Sequence, residues 1–183
     1  MYYSTSYNSP IGELLIVSDG EAINGVWFHN QKFFKSTVDE TVENDDLEIF
    51  KKVKEWLDEY FEGKNPQIDF MLNPSGSEFR RIVWKILLDI PYGETLTYGE
   101  IAKRISPTMS AQAVGGAVGH NPISILIPCH RVVGVNGKLT GYAAGIDKKI
   151  ELLEKKHESY SNFKKYLVQQ IFAQKLRSIG SII

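Results

Sequence analysis

Cysteine occurs once in the 183 residues, at Cys129. A single thiol excludes an internal disulfide and a cysteine-rich zinc site, and no metal is expected. It makes a reducing, cytoplasmic compartment the default. No apolar run approaches the roughly 18–20 residues of a membrane span, so no membrane partner is expected. The opening Met-Tyr-Tyr-Ser-Thr-Ser lacks the basic end and apolar stretch of a secretory signal. Internal repeats and low-complexity tracts are absent. With 43% of residues apolar and 23% charged, wholesale disorder is excluded, and the length suits one ordinary domain or two small ones.

Net charge is also small, −1, but it hides an asymmetry. Residues 1–77 hold 6 Lys/Arg against 14 Asp/Glu, whereas residues 78–183 hold 15 against 8. This reads either as two solvated surfaces of opposite sign or as a basic half that meets a polyanion, with the acidic half turned away.

The apolar pattern changes period along the chain. Leu14–Val17 and Ile23–Phe28 are short apolar runs around Asp19-Gly20, a hairpin signal. Residues 36–46 are polar and acidic and read as a loop. From Leu47, the residues Ile49, Phe50, Val53, Trp56, Leu57, Tyr60 and Phe61 recur at three- and four-residue spacing, predicting an amphipathic helix stopped by Gly63-Lys64-Asn65-Pro66. Gln67–Leu72 is expected to add a strand. Asn73-Pro74-Ser75-Gly76 marks a boundary where the charge changes sign.

Beyond it the chain reads as mostly helical. Ser77 can cap a helix carrying Phe79, Ile82, Val83, Trp84, Ile86 and Leu87. Thr97-Tyr98-Gly99-Glu100 is a capping box opening a short helix to about Arg104. Ser110 can cap a second, 111–118, so the pair is a helix-turn-helix candidate. That second helix is almost entirely small: Ala111-Gln112-Ala113-Val114-Gly115-Gly116-Ala117-Val118. One explanation is close helix packing within the domain. The other is backbone approach to DNA; with only Gln112 able to read base edges, this points to the minor groove and to shape. Ile123–Ile127 reads as a buried extended run, Val132–Lys138 turns back through Asn136-Gly137, and Asp147 is expected to cap a last helix carrying Ile150, Leu152 and Leu153.

Ile127-Pro128-Cys129-His130-Arg131-Val132 carries the chemistry. A lone cysteine on an apolar run is ordinarily an inert core residue. Here Pro128 breaks the run just before the thiol, His130 can hold a proton, and Arg131 adds positive charge that would favour the thiolate, the nucleophilic form.

These residues, with Phe79, Val83-Trp84, Ile90-Pro91-Tyr92-Gly93, Tyr98, Ala113-Val114-Gly115, Asn121-Pro122 and Gly141-Tyr142, resemble the O6-alkylguanine-DNA alkyltransferases (methylated-DNA–protein-cysteine methyltransferases) in order and spacing. Pro10-Ile11-Gly12 and Tyr60-Phe61-Glu62-Gly63 resemble that family's N-terminal domain. The resemblance implies an α/β (α+β) fold: a small N-terminal β-meander plus helix, ribonuclease H-like, over 1–73, and a mostly helical alkyl-acceptor domain with the helix-turn-helix over 74–158. The tail 159–183 is unassigned.

It implies a DNA repair protein consumed by its own reaction. The alkyl group of O6-alkylguanine, and by extension of O4-alkylthymine, would pass from a flipped-out base to Cys129. No second cysteine exists to resolve the resulting thioether. The partner would be double-stranded DNA carrying the lesion, without cofactor, and the protein a monomer. Carried over by position, Cys129 is the acceptor and His130 the base acting through a water. Tyr98 rotates a phosphate and supplies a proton near the base, and Asn121 is the hinge between recognition helix and active-site run. Tyr142, Ala143 and Gly145 line the guanine pocket, and Ala143 and Ala144 suggest a roomy mouth. Gln112, Ala113, Gly115 and Arg131 are placed with the DNA.

Two departures stand out. The family's intercalating arginine is Gln112 here, and the glutamate expected three residues after Leu152-Leu153 is Lys156, flanked by Glu154 and Glu158. Either a shift at the helix end presents Glu154 or Glu158 to His130 in its place, or the carboxylate is missing, which would remove support for a His130 imidazolium. Lys156 supports one other reading, an alkylated-base-binding protein without transfer; a third, a cysteine hydrolase, would need turnover and an oxyanion hole, and a histidine adjacent to its nucleophile is unusual for that chemistry. His29, His120 and His157 read as surface or structural residues.

Overall fold

The acidic half forms the sheet that the alternation predicts. In the computed structural model, which describes residues 1–154, β1 (Tyr2–Ser9), β2 (Gly12–Ser18) and β3 (Ala22–Phe28) make an antiparallel meander. Gly12 turns the first corner at φ +130° and Gly20 the second at φ +104°, a region that suits glycine. Two short strands flank the meander in parallel: β4 (Thr41–Glu43) beside β1, and β5 (Met71–Leu72) beside β3. The sheet order is β4-β1-β2-β3-β5. The 36–46 stretch is therefore not wholly loop, because backbone pairing along the β1 edge outweighs its polarity. Conversely, only the last two residues of Gln67–Leu72 pair.

Helix α1 (Glu48–Phe61) follows its periodicity: Ile49, Phe50, Val53, Trp56, Leu57 and Tyr60 are the buried face. In the basic half, Ser77 caps α2 (Glu78–Leu88) by accepting the Arg80 amide. A two-stranded parallel pair follows, β6 (Leu96–Thr97) with β7 (Val132–Val133). Thr97 and Glu100 form the capping box of α3 (Tyr98–Ile105), and Ser110 accepts the Ala113 amide to open α4 (Ala111–Gly119). Trp84, buried on α2, ties that helix to α4 by donating its indole N–H to the Ala117 carbonyl at 2.9 Å. Helix α5 (Ile146–Glu154) starts one residue before Asp147, so Asp147 lies in its first turn rather than at its cap. Gly145, at φ +96°, precedes it and accepts the Lys149 amide.

One apolar core runs without interruption from Ile11 in the sheet to Leu152 in α5. The two halves are also joined through the backbone. Val26 of β3 accepts the Ser124 amide and donates to Pro122, both at 2.8 Å, forming a parallel bridge to Ile123. Gln31 Oε1 then accepts both the Phe28 amide and the Ser124 hydroxyl.

Candidate active site

The active-site run is not a strand. After the bridge at Ile123 the chain tightens into two successive γ-turns. Leu126 N–H donates to Ser124 with Ile125 at φ +72°, and Cys129 N–H donates to Ile127 across Pro128 at φ −80°, ψ 62°. Proline fits the second, unstrained turn. The first is the strained form, and a β-branched residue there is a backbone outlier. Burial of Ile125 and the bonds on either side hold it there. The turns end in one turn of 3-10 helix, Cys129–Arg131, which presents the thiol.

Asn121 fastens this path. Its amide group donates to the Ile123 and Ile127 carbonyls and, at 3.2 Å, to the Cys129 sulfur, while its oxygen accepts the Ile123 amide. It follows α4 directly, so one buried side chain links the C-terminus of the small-residue helix to the nucleophile.

Cys129 is 5% exposed and lines a cavity of about 600 Å³, of a size that suits a small-molecule or base-sized ligand. The cavity walls are Tyr98, the C-terminal half of α4, the 141–145 loop and, from the acidic half, Asn30, Lys32 and Phe33. Tyr142, Ala143 and Gly145 are therefore together at the pocket, with the Ala143 carbonyl accepting the Lys32 amide at 3.0 Å. Tyr98 donates its hydroxyl to Thr140 O at 3.1 Å. His120, read from sequence as a scattered surface residue, is at the rim, its ring stacked on Phe33 at 3.9 Å.

The glycines of α4 discriminate between the two explanations of its composition. Outside the helix's own backbone, no atom of the described residues lies within 4 Å of a Cβ placed on Gly116 or Gly119, and on Gly115 a Cβ would make ordinary contact with the Tyr98 ring at 3.7 Å. Close packing inside the domain does not require them. Ala111, Gln112, Ala113 and Gly116 are exposed, so the small face looks outward. A second hollow, lined by Gln112, Gly115 and Tyr98, continues the cavity along this face.

The electrostatics differ from the sequence reading in one respect. Arg131 does not face the cavity. Its guanidinium donates to Ile90 O at 2.7 Å and stands over the Tyr92 ring, in a separate hollow between the two halves. Burial instead pushes the Cys129 thiol up, opposed by the Asn121 hydrogen bond and the charge of Lys149. The Tyr142 hydroxyl, buried beside the same sulfur without a well-directed hydrogen bond, also favours the thiolate. Cys129 thus rests as a thiol, and a base would have to remove its proton before it could attack as a thiolate. His130 is fully buried next to it, and its Nε2 is 3.1 Å from the hydroxyl of Tyr60.

Lys149 and Tyr60 were missed as site residues. Lys149 has no exposed surface; its ammonium donates to Thr140 O at 3.1 Å and Gly141 O at 3.3 Å, 5.9 Å from the Tyr98 ring. The signal was its register: three and four residues before Leu152 and Leu153, it shares their buried stripe. Tyr60 carried no signal beyond the apolar face of α1. Lys156, His157 and Glu158 lie outside the described residues, as does the tail 159–183.

Residues 78–158 match the family described as 6-O-methylguanine DNA methyltransferase, DNA binding domain, and residues 1–74 its ribonuclease-like domain. The chain is 47% identical over 154 residues to the methylated-DNA–protein-cysteine methyltransferase of Methanosarcina acetivorans, covering 84% of this chain and 97% of that protein. The protein of the same name from Haemophilus influenzae is 42% identical over 153 residues, covering 83% of this chain and 84% of that one. Among solved structures, Mycobacterium tuberculosis OGT in complex with DNA superposes with a TM-score of 0.76 at 42% identity, over 85% of this chain and 92% of that one. The M. tuberculosis O6-methylguanine methyltransferase gives 0.77 at 39%, over 91% and 99%. Matched in both halves and along most of its length, the chain belongs to the methylated-DNA–protein-cysteine methyltransferase family.

Proposed function

We propose that this protein repairs DNA by moving the alkyl group of O6-alkylguanine irreversibly onto Cys129, once per molecule. The observation that carries this reading is the placement of the only cysteine in the wall of a base-sized cavity beneath the outward small-residue face of α4. In stacked duplex DNA the target carbon is out of reach of a buried sulfur, so the base has to enter the cavity. A helix face of alanine and glycine lets backbone approach the minor groove, where shape is read rather than sequence. The phosphate partners come from the basic half, and binding weakens with salt through counterion release.

The chemical step is an in-line displacement. His130 takes the thiol proton, through a water, and the thiolate attacks the alkyl carbon. The carbon–O6 bond breaks, its electron pair stays on guanine, and a proton must reach the base. Tyr98 serves there: burial keeps its phenol protonated, and the residue lines the cavity, its hydroxyl resting on Thr140 O. Asn121 and Lys149 stabilise the thiolate as it forms. The product is a thioether, and the leaving guanine is intact.

Retention of Cys129 with its hydrogen-bonded surroundings favours transfer over binding without transfer. The protein acts as a monomer in the cytoplasm, where a lone thiol stays reduced. Intact mass after incubation with an O6-methylguanine duplex tests the proposal. A stoichiometric gain of one methyl on the peptide containing Cys129 is expected, and binding without gain overturns it.

A further inference from the structure

The N-terminal half supplies a side chain to the catalytic base. Tyr60, the penultimate residue of α1, is 4% exposed, and its hydroxyl is 3.1 Å from Nε2 of fully buried His130. The phenol ring has little freedom. It stacks on Trp56 at 5.1 Å and 20° and meets Phe61 edge-on at 5.4 Å. Trp56 is itself pinned by its indole N–H on Pro66 O at 3.1 Å. The imidazole stands edge-on to the Tyr60 ring, at 6.4 Å and 84°.

An imidazole that accepts a proton carries hydrogens on both nitrogens. Whatever the resting tautomer, Nε2 of the imidazolium must then donate, and the Tyr60 oxygen is in position to accept. If Nε2 already carries the proton at rest, Nδ1 is left as the basic lone pair. With the Tyr60 oxygen accepting throughout, the same contact would hold that tautomer before the reaction and support the cation during it. Burial keeps Tyr60 a neutral phenol, so what it offers the cation is a dipole.

We propose that Tyr60 is the positioning residue for His130, fixing its proton on Nε2 and accepting from the imidazolium, so that the N-terminal domain is part of the transfer machinery. The proposal rests on the reading of His130 as the base for Cys129. Among the described residues, the ionisable and phenolic groups around the pair are Cys129 and Arg131 on the same turn, Tyr92 and Tyr142 from neighbouring loops, and Lys149 from α5.

The test uses the full chain with Tyr60→Phe, which removes one hydroxyl and keeps the ring. Single-turnover transfer from an O6-methylguanine duplex is measured across pH, together with DNA affinity and the urea midpoint. A charge-assisted hydrogen bond lost from the cation is expected to slow transfer about tenfold to a hundredfold, with DNA affinity unchanged. The acidic limb of the rate profile is expected to move to lower pH, because the imidazolium loses an acceptor. Nitrogen-15 spectra of histidine-labelled wild-type protein report the tautomer without any variant, and a proton on Nε2 is expected. Unchanged rate and profile in Tyr60→Phe, or a wild-type proton on Nδ1, overturns the proposal. If wild-type protein transfers methyl and His130→Ala does so equally fast, the assignment of the base itself has failed, which separates that outcome from failure of Tyr60.

Discussion

Replacing Lys149 with methionine removes a buried cation that has no carboxylate partner among the described residues. Burial pushes the ammonium down from 10.5 to about 8, partly opposed by the charge of Cys129. The unfolded chain holds this proton up to 10.5 and the folded chain releases it near 8, so between those values the unfolded state binds more protons and stability rises with pH. Below 8 both states are charged and the full penalty applies. At about 1.36 kcal/mol per pH unit the whole window is worth about 3 kcal/mol. Methionine does not titrate. The stability of the wild type minus that of Lys149→Met should therefore climb by about 2 kcal/mol from about pH 7.5 to about 9.5, and urea unfolding at steps across that range reads it directly. A difference that stays flat across the range would refute the reasoning, since Lys149 would then be keeping its proton in the fold. The same variant should transfer more slowly at neutral pH, having lost a cation that favours the thiolate.

Cys129→Ala should abolish transfer and leave DNA affinity nearly unchanged, measured by intact mass and by titration of a labelled duplex; any residual methyl gain removes Cys129 as acceptor. Asn121→Asp keeps the shape but sets acceptor against acceptor at the Ile123 and Ile127 carbonyls and places a negative charge at the sulfur. Folding stability should fall by about 2–4 kcal/mol and the thiol pKa should rise, read by urea unfolding and by the pH dependence of iodoacetamide alkylation. Gly116→Leu has open space around its Cβ and a better helix former in place of glycine, so stability should hold or rise by up to about 1 kcal/mol. DNA affinity should drop at least several-fold, and unchanged affinity would show that this face does not meet the groove.

Elements with a local cause were legible in the sequence. The period of Ile49 to Tyr60 specified the buried face of α1, and Ser77, Thr97 with Glu100, and Ser110 marked helix starts that the backbone amides confirm. What local pattern could not show was backbone held by distant partners. Ile123–Ile127 reads as a strand because its residues are apolar and β-branched. The hydrogen bonds of Asn121 and the bridge to Val26 override that propensity and hold Ile125 in a left-handed conformation. β4 likewise exists because β1 offers an edge. At the site, the sequence neighbours of Cys129 suggested Arg131 as the local cation. An arginine, with three methylene groups before its guanidinium, can turn either way, and the carbonyl of Ile90 with the Tyr92 ring draws it to the far side. The cation that does face the thiol, Lys149, is twenty residues away and visible only as a charge on an apolar stripe.

The charge asymmetry suggested an acidic half turned away from the chemistry, and the geometry assigns that half a larger part. β3 holds residues 122–124 by backbone bonds, Gln31 holds Ser124, α1 places Tyr60 on His130, and Asn30, Lys32 and Phe33 form one wall of the cavity. Phe33 and Lys35 both have positive φ, at 58° and 53°, strain that the loop carries while keeping Phe33 stacked on His120 at the end of α4. Because a single core spans both halves, local opening of the sheet at β3 would release the γ-turns that aim Cys129. The net negative charge of residues 1–77 therefore cannot serve merely as a solvated back surface. Its contacts to the site are made by backbone, amide, phenol, an aromatic ring and one lysine, groups that do not repel a phosphate backbone, and no carboxylate lines the cavity among the described residues. On the function proposed for Cys129, that division lets an acidic domain support a nucleophile that has to work against DNA.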